Sequence, residues 1–199
     1  MQLETLKNRL RDLPLGALRY YDTIGSTNDV ATEWARQGAP DCALVVADEQ
    51  TAGRGRGQRH WFTPAGAALA FSLILRPVGK HITRVTGLGA LAVCQALHER
   101  CHLPAQIKWP NDVIINGKKL AGILTEASWS GNRLSALVLG VGINVESDAV
   151  PPSDWPGHHE NPFPATSVVQ ETDESIRRLD LLHAVLIALL TWLPDLETQ

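Results

Sequence analysis

The sequence predicts an α+β domain: a mixed, largely antiparallel sheet with helices packed on one side. Three observations predict it. Val113-Ile114-Ile115 and Lys118 to Leu124 flank Asn116-Gly117, and Asn-Gly is a preferred two-residue hairpin turn because both positions accept positive φ. Two apolar strands, Ala43 to Ala47 and Ala67 to Leu75, follow one another with only a polar loop between them. The regular βαβ alternation of a doubly wound sheet is missing, so helices and hairpin-joined strands come in mixed order.

Each element has its own signal. Leu3, Leu6, Leu10 and Leu13 recur at helical spacing and predict a short opening helix that ends by Pro14. Leu18 to Tyr21 reads as a strand. Ser26-Thr27-Asn28-Asp29 precedes Val30, Ala31 and Trp34, the pattern of a capped helix that runs to Gly38. Cys42 to Asp48 is a strand. Thr83 to Cys101 is apolar on most faces and predicts a buried helix. Ala105 to Trp109 is a strand stopped by Pro110, and Arg133 to Val145 is a longer one. Ser147 to Ala165 is Pro-rich and reads as a loop. Thr172-Asp173-Glu174-Ser175 predicts the cap of a last helix carrying Leu179, Leu182, Leu186 and Leu190.

Composition bounds the function. The 199 residues carry a formal charge of −3 and are 44% hydrophobic, enough for one domain with a full core. A chain whose main partner is DNA usually shows a basic surplus, and this one does not. No apolar run is long enough to span a bilayer, and the N-terminus lacks the basic start and apolar run of a signal peptide. The expected location is therefore cytoplasmic. Cys42, Cys94 and Cys101 are odd in number and have apolar neighbours, as reduced thiols do. Cys94, His98 and Cys101 share a helix face, but soft core residues explain that spacing better than a metal site. His158-His159 reads as solvated.

Chemistry concentrates in two stretches. Gln50 to Trp61 contains Gly53-Arg54-Gly55-Arg56-Gly57-Gln58-Arg59. Glycine exposes backbone N–H groups to a ligand and arginine offers a planar fork to phosphate or carboxylate, so the loop is expected to fold over an anion. A strand follows it, which excludes a dinucleotide fingerprint or a P-loop, since both need a helix there. A solvated basic run is the simpler alternative, yet a loop fixed between core strands is a favoured place for a site. The second stretch is Lys108-Trp109-Pro110-Asn111-Asp112, where a lysine at a strand end can serve an anionic reacting group.

The segments Tyr21 to Asp29, Gln50 to Trp61, Lys108 to Val113, Lys119 to Leu124 and Gly140 to Val145, in that order, resemble the biotin protein ligases (biotin–[acetyl-CoA-carboxylase] ligases). The resemblance implies the biotin–lipoate ligase fold, which is class II aminoacyl-tRNA synthetase-like, with residues 1–199 as one catalytic domain. It implies attack of the biotin carboxylate on the α-phosphate of ATP to give biotinyl-5′-AMP, then transfer to one lysine of a biotin carboxyl carrier domain. ATP with Mg²⁺ and biotin are the expected ligands. Biotin binding maps onto Ser26, Thr27, Asn28, Gln50, Arg54, Gly55, Arg56 and Lys108. Nucleotide and phosphate binding maps onto Gly53, Arg54, Arg56, Arg59, Trp61 and Asn111. Lys108 and Arg56 are the expected catalytic residues, and no metal ligand is assigned. An N-terminal helix-turn-helix and the C-terminal small β-barrel of longer members are not recognised in the sequence. No DNA or membrane partner is expected, and a homodimer is compatible with the chain. The alternatives are a lipoate or other acyl ligase or transferase on the same fold, and a catalytically weak biotin-binding module.

Overall fold

A computed structural model of the chain describes residues 1–76, 84–130, 132–155 and 163–196. A seven-stranded sheet has the order β1-β2-β3-β7-β6-β5-β4. The strands are β1 (Ala17–Ile24), β2 (Ala43–Gln50), β3 (Ala68–Leu75), β4 (Gln106–Lys108), β5 (Asp112–Ile115), β6 (Lys118–Ser130) and β7 (Arg133–Asn144). β1 and β2 run parallel and every other neighbour pair is antiparallel, as the sequence predicts. The Asn116-Gly117 turn has positive φ at both residues, 51° and 75°.

The helices are α1 (Leu3–Leu10), α2 (Thr27–Arg36), α3 (Val85–Cys101), α4 (Val168–Glu171) and α5 (Arg178–Trp192). Strand alternation sends side chains to two different layers. Leu44, Val46, Leu69, Phe71, Leu139 and Ile143 face α1, α3 and α5 in the main core. Ala43, Val45, Ile74, Ala136 and Val138 face the other way and pack on Ala31 and Ala35 of α2. The packed helical layer on one side is therefore present, and α2 adds a helix to the opposite face. Small residues on both partners let α2 lie close to the sheet.

The start of the last helix differs from expectation. α5 begins at Arg178 rather than at the Thr172–Ser175 cluster. The Thr172 hydroxyl accepts a hydrogen bond from the Glu174 backbone N–H at 3.1 Å, so it closes a local turn, a competing use of such side chains. α3 begins at Val85, and Thr83 lies outside the described residues, as does the His158-His159 pair. Cys94 and Cys101 are free thiols, each pushed up to about 11 by burial. Among the described residues no three His, Cys, Asp or Glu side chains gather to hold a metal, and no helix is long and apolar enough to cross a membrane.

Candidate active site

The α2 face of the sheet is only partly covered by α2. Beyond the helix start, the face-forming positions become Ser72 on β3, Gly122 on β6, and Gly140, Gly142 and Asn144 on β7. On β7 these small positions alternate with Leu139, Val141 and Ile143, which are buried in the main core. One strand thus builds core on one face and floor on the other. A cavity of about 420 Å³ lies over this floor, a normal size for a small-molecule site.

The floor glycines are sterically required. A Cβ on Gly142 would stand 2.4 Å from Trp61 Nε1, and one on Gly140 would stand 2.1 Å from Asn28 Oδ1. Trp61 therefore lies flat where Gly122 and Gly142 leave room. Its indole N–H is buried with no hydrogen-bond partner, so a ligand acceptor there would satisfy it.

Four elements fix the polar end. The Thr27 backbone N–H and hydroxyl both donate to Gln50 Oε1, at 2.8 and 3.1 Å. Gln50 Nε2 donates to the Thr63 hydroxyl at 3.1 Å. The Ser72 hydroxyl contacts Thr27 Oγ1 at 2.8 Å and donates to Asn28 Oδ1 at 2.6 Å. Ser26 was expected to cap α2, but it makes no side-chain cap hydrogen bond. Gln50 from β2 takes the free helix N–H instead. Ser26, Thr27 and Asn28 are 3–4% exposed and all line the cavity with Gln50.

The glycine-arginine loop is a tight hairpin. Trp61 N–H donates to Gly53 O at 2.8 Å and Gly55 N–H to Arg59 O at 2.6 Å. Gly53 must be glycine, since a Cβ would meet Trp61 O at 2.3 Å. Arg54, Gly55, Arg56, Arg59 and Trp61 line the cavity, whereas Gly53 supports the loop from behind. Arg54 is already engaged by carboxylates of Glu126 and Asp29, and the hydrogen bond it donates to Glu126 raises its pKa above the ordinary arginine value. No carboxylate among the described residues pairs with Arg56 or Arg59.

Lys108 falls outside the cavity lining. Its ammonium sits 3.5 Å from the centre of the Phe163 ring, a cation–π contact. The lysine inside is Lys119, which lines the cavity and lies 2.8 Å from Asp112 Oδ1 as an ion pair, both side chains 11–12% exposed. The approach is outside hydrogen-bond geometry, so that Asp112 oxygen has no hydrogen-bond donor of its own. Lys119 is held through its backbone: its N–H donates to Pro164 O at 2.8 Å and its carbonyl accepts from Thr166 N–H at 2.9 Å. Asn111 lines the cavity and donates to Ile123 O at 3.2 Å.

Sequence reasoning thus assigned no role to Lys119 or to the floor glycines, although Asp112 belongs to a stretch it singled out. A signal for the floor was present, since Gly140 and Gly142 alternate with large apolar residues. Nothing local distinguishes Lys119 from Lys118; the register shift between Val113 and Ile114 in the β5–β6 pair helps decide which lysine turns inward.

The profile of the Biotin/lipoate A/B protein ligase family matches residues 20–144, which hold α2, the loop and the floor. The chain is 41% identical over 172 residues to the Bifunctional ligase/repressor BirA of Bacillus subtilis, covering 85% of this chain and 51% of that protein. It therefore spans about half the length of that relative. It is 38% identical over 177 residues to the Biotin--[acetyl-CoA-carboxylase] ligase of Paracoccus denitrificans, covering 87% of this chain and 71% of that one. Among solved structures, the biotin protein ligase from Aquifex aeolicus in complex with biotin and ATP superposes with a TM-score of 0.76 at 29% identity, covering 92% of this chain and 72% of that one.

Proposed function

The chain belongs to the biotin/lipoate A/B protein ligase family, and from that premise we propose that it is an ATP-dependent biotin–protein ligase. It joins biotin to ATP as biotinyl-5′-AMP, releases pyrophosphate, and transfers the biotinyl group to a lysine of a biotin carboxyl carrier domain. The observation that carries this reading is a single cavity lined by buried hydroxyls and amides, an indole packed over glycines, and the cationic side chains of Arg54, Arg56, Arg59 and Lys119.

Each part has a physical task. Biotin is polar at its ureido ring and at its carboxylate, and apolar between. Ser26, Asn28 and Gln50 offer hydrogen-bonding groups held in place before the ligand arrives, which lowers the cost of binding. Trp61 and the glycine floor suit the apolar middle. Arg56 and Arg59 suit phosphates by two-point contact. In the first step two anions must meet, the carboxylate and the α-phosphate. A fixed cation at that point stabilises the transition state more than the ground state. Lys119 takes this place in the proposal, since it lies inside the cavity and Asp112 limits its movement. Lys108, resting on Phe163, contributes at the rim.

Magnesium enters with ATP. It is usually held by phosphates, waters and one or two carboxylates rather than by a protein cage.

The test compares two lysines. Lys119→Ala should slow biotinyl-5′-AMP formation about a hundredfold or more, whereas Lys108→Ala should slow it less than about tenfold. Release of pyrophosphate in a single turnover, followed with biotin and separately with lipoate, measures both. If Lys108→Ala is the crippled variant, the assignment is reversed; if only lipoate is activated, the substrate is wrong.

A further inference from the structure

Glu126 lines no part of the cavity, yet it makes the strongest side-chain contacts of the loop above it. Its carboxylate accepts from both ends of the Arg54 fork, Oε1 from Nη1 at 2.7 Å and Oε2 from Nη2 at 2.5 Å. Oε2 also accepts from Asn28 Nδ2 at 2.7 Å. Asp29 Oδ1 adds a second anion 2.8 Å from Arg54 Nη2. Two-point arginine–carboxylate pairs are strong and orientation-specific. Glu126 stands on β6, Asn28 and Asp29 on α2, and Arg54 on the loop. One carboxylate therefore ties the loop to the sheet and to the start of α2.

We propose that Glu126 is a positioning residue that latches the Gly53–Trp61 loop over the cavity floor through Arg54 before any ligand binds. Arg54 is then the anchor of the loop, while Arg56 and Arg59 are left to meet the anion. The latch sits where its loss need not disturb the core: Arg54 is 38% and Glu126 30% exposed. Between Gly53 and Trp61 the loop's own backbone is held by the bonds from Gly55 and Trp61 and by one short 3-10 turn over Arg56–Gln58, little to hold a glycine-rich segment against its chain entropy. Fixing Arg54 adds a side-chain anchor on the first arm of the segment, next to Gly53.

Hydrogen exchange of the ligand-free protein tests the latch without reference to activity. In Glu126→Gln the Gly55 and Trp61 amides should exchange about tenfold faster or more, as loss of a charge-assisted pair allows, with β3 and β7 amides unchanged. Arg54→Gln, which leaves the Asn28–Glu126 bond intact, should do the same. The double variant should be no faster than either single one, because both residues act through one contact. Unchanged loop exchange, additive effects, or protection lost across β3 and β7 in both single variants would overturn the proposal. A second readout rests on the ligase reading above: release of bound biotinyl-5′-AMP should be about tenfold faster in both single variants, and parental release in a variant whose loop has opened would overturn the link to retention. A parent that forms no adenylate would overturn the ligase reading alone, since the exchange experiment still decides the latch.

Discussion

At the scale of single residues, the site depends on atoms that are missing as much as on those present. Gly142 gives its volume to the Trp61 indole and Gly140 gives its volume to Asn28. We predict that Gly142→Ala displaces Trp61 and weakens biotin binding at least tenfold. Titration calorimetry with biotin checks it. Gly140→Ala strikes a buried hydrogen-bonded group instead, so it should lower stability by about 1–3 kcal/mol, read from denaturant unfolding. Gly25 has nothing within 4 Å of an added Cβ, and Gly25→Ala should melt within a few degrees of the parent. Arg56→Ala removes an exposed cavity arginine and should cost roughly tenfold to a hundredfold in adenylate retention, with thermal stability held.

At the scale of elements, the β5–β6 hairpin carries Lys119 into the cavity and is clamped from outside. Glu171 of α4 accepts from Asn116 Nδ2 at 2.9 Å, Lys118 Nζ at 3.0 Å and Thr166 Oγ1 at 2.6 Å. Burial pushes the Glu171 carboxyl up, but the bonds from Thr166, Lys118 and Asn116 more than offset this and hold it below the ordinary 4.5. The sign follows directly. A carboxyl with a depressed folded pKa adds stability above its unfolded value, and that stability fades as pH falls through the folded value. We therefore expect the clamp to be intact at neutral pH and to weaken below about pH 4.5. Glu171→Gln should destabilise by about 1–2 kcal/mol at pH 7 and flatten the loss of stability between pH 5 and pH 3. Urea unfolding at several pH values measures it; a parallel acid limb in parent and variant would remove Glu171 as its cause.

At the scale of the whole molecule, α2, the loop, β6 and β7 meet at one cavity while α1, α3 and α5 fill the other face. The sheet separates a rigid hydrophobic layer from a polar face that can adapt. A ligand touching loop and floor together stabilises the folded state by mass action, about 2.7 kcal/mol at a hundred times its Kd. For a chain of this size that corresponds to an upward shift in Tm of roughly 5–10 °C. Biotinyl-5′-AMP should produce this shift in the parent and a smaller one in Arg56→Ala, measured by thermal denaturation. Three arginines on one short loop repel one another until an anion arrives. Glu126 and Asp29 already neutralise one of them, which shifts the burden of ligand-induced ordering onto Arg56 and Arg59.

Short-range spacing carried the parts of this protein that the sequence determined by itself. Asn116-Gly117 fixed the hairpin because only its local φ preferences matter. The apolar runs fixed the core strands and α3, and the Gly-Arg pattern marked the loop, because residue type and neighbours are sufficient there. Tertiary structure alone decided what depends on distant partners. Thr27 meets Gln50 across 23 positions and Asn28 meets Glu126 across 98, so a cap predicted for Ser26 gave way to a network. Lys119 rather than Lys108 faced the cavity because strand register, not residue type, sets which way a side chain turns. Arg54 became an anchor for the same reason: its carboxylates come from α2 and β6, and no window of sequence around the loop contains both.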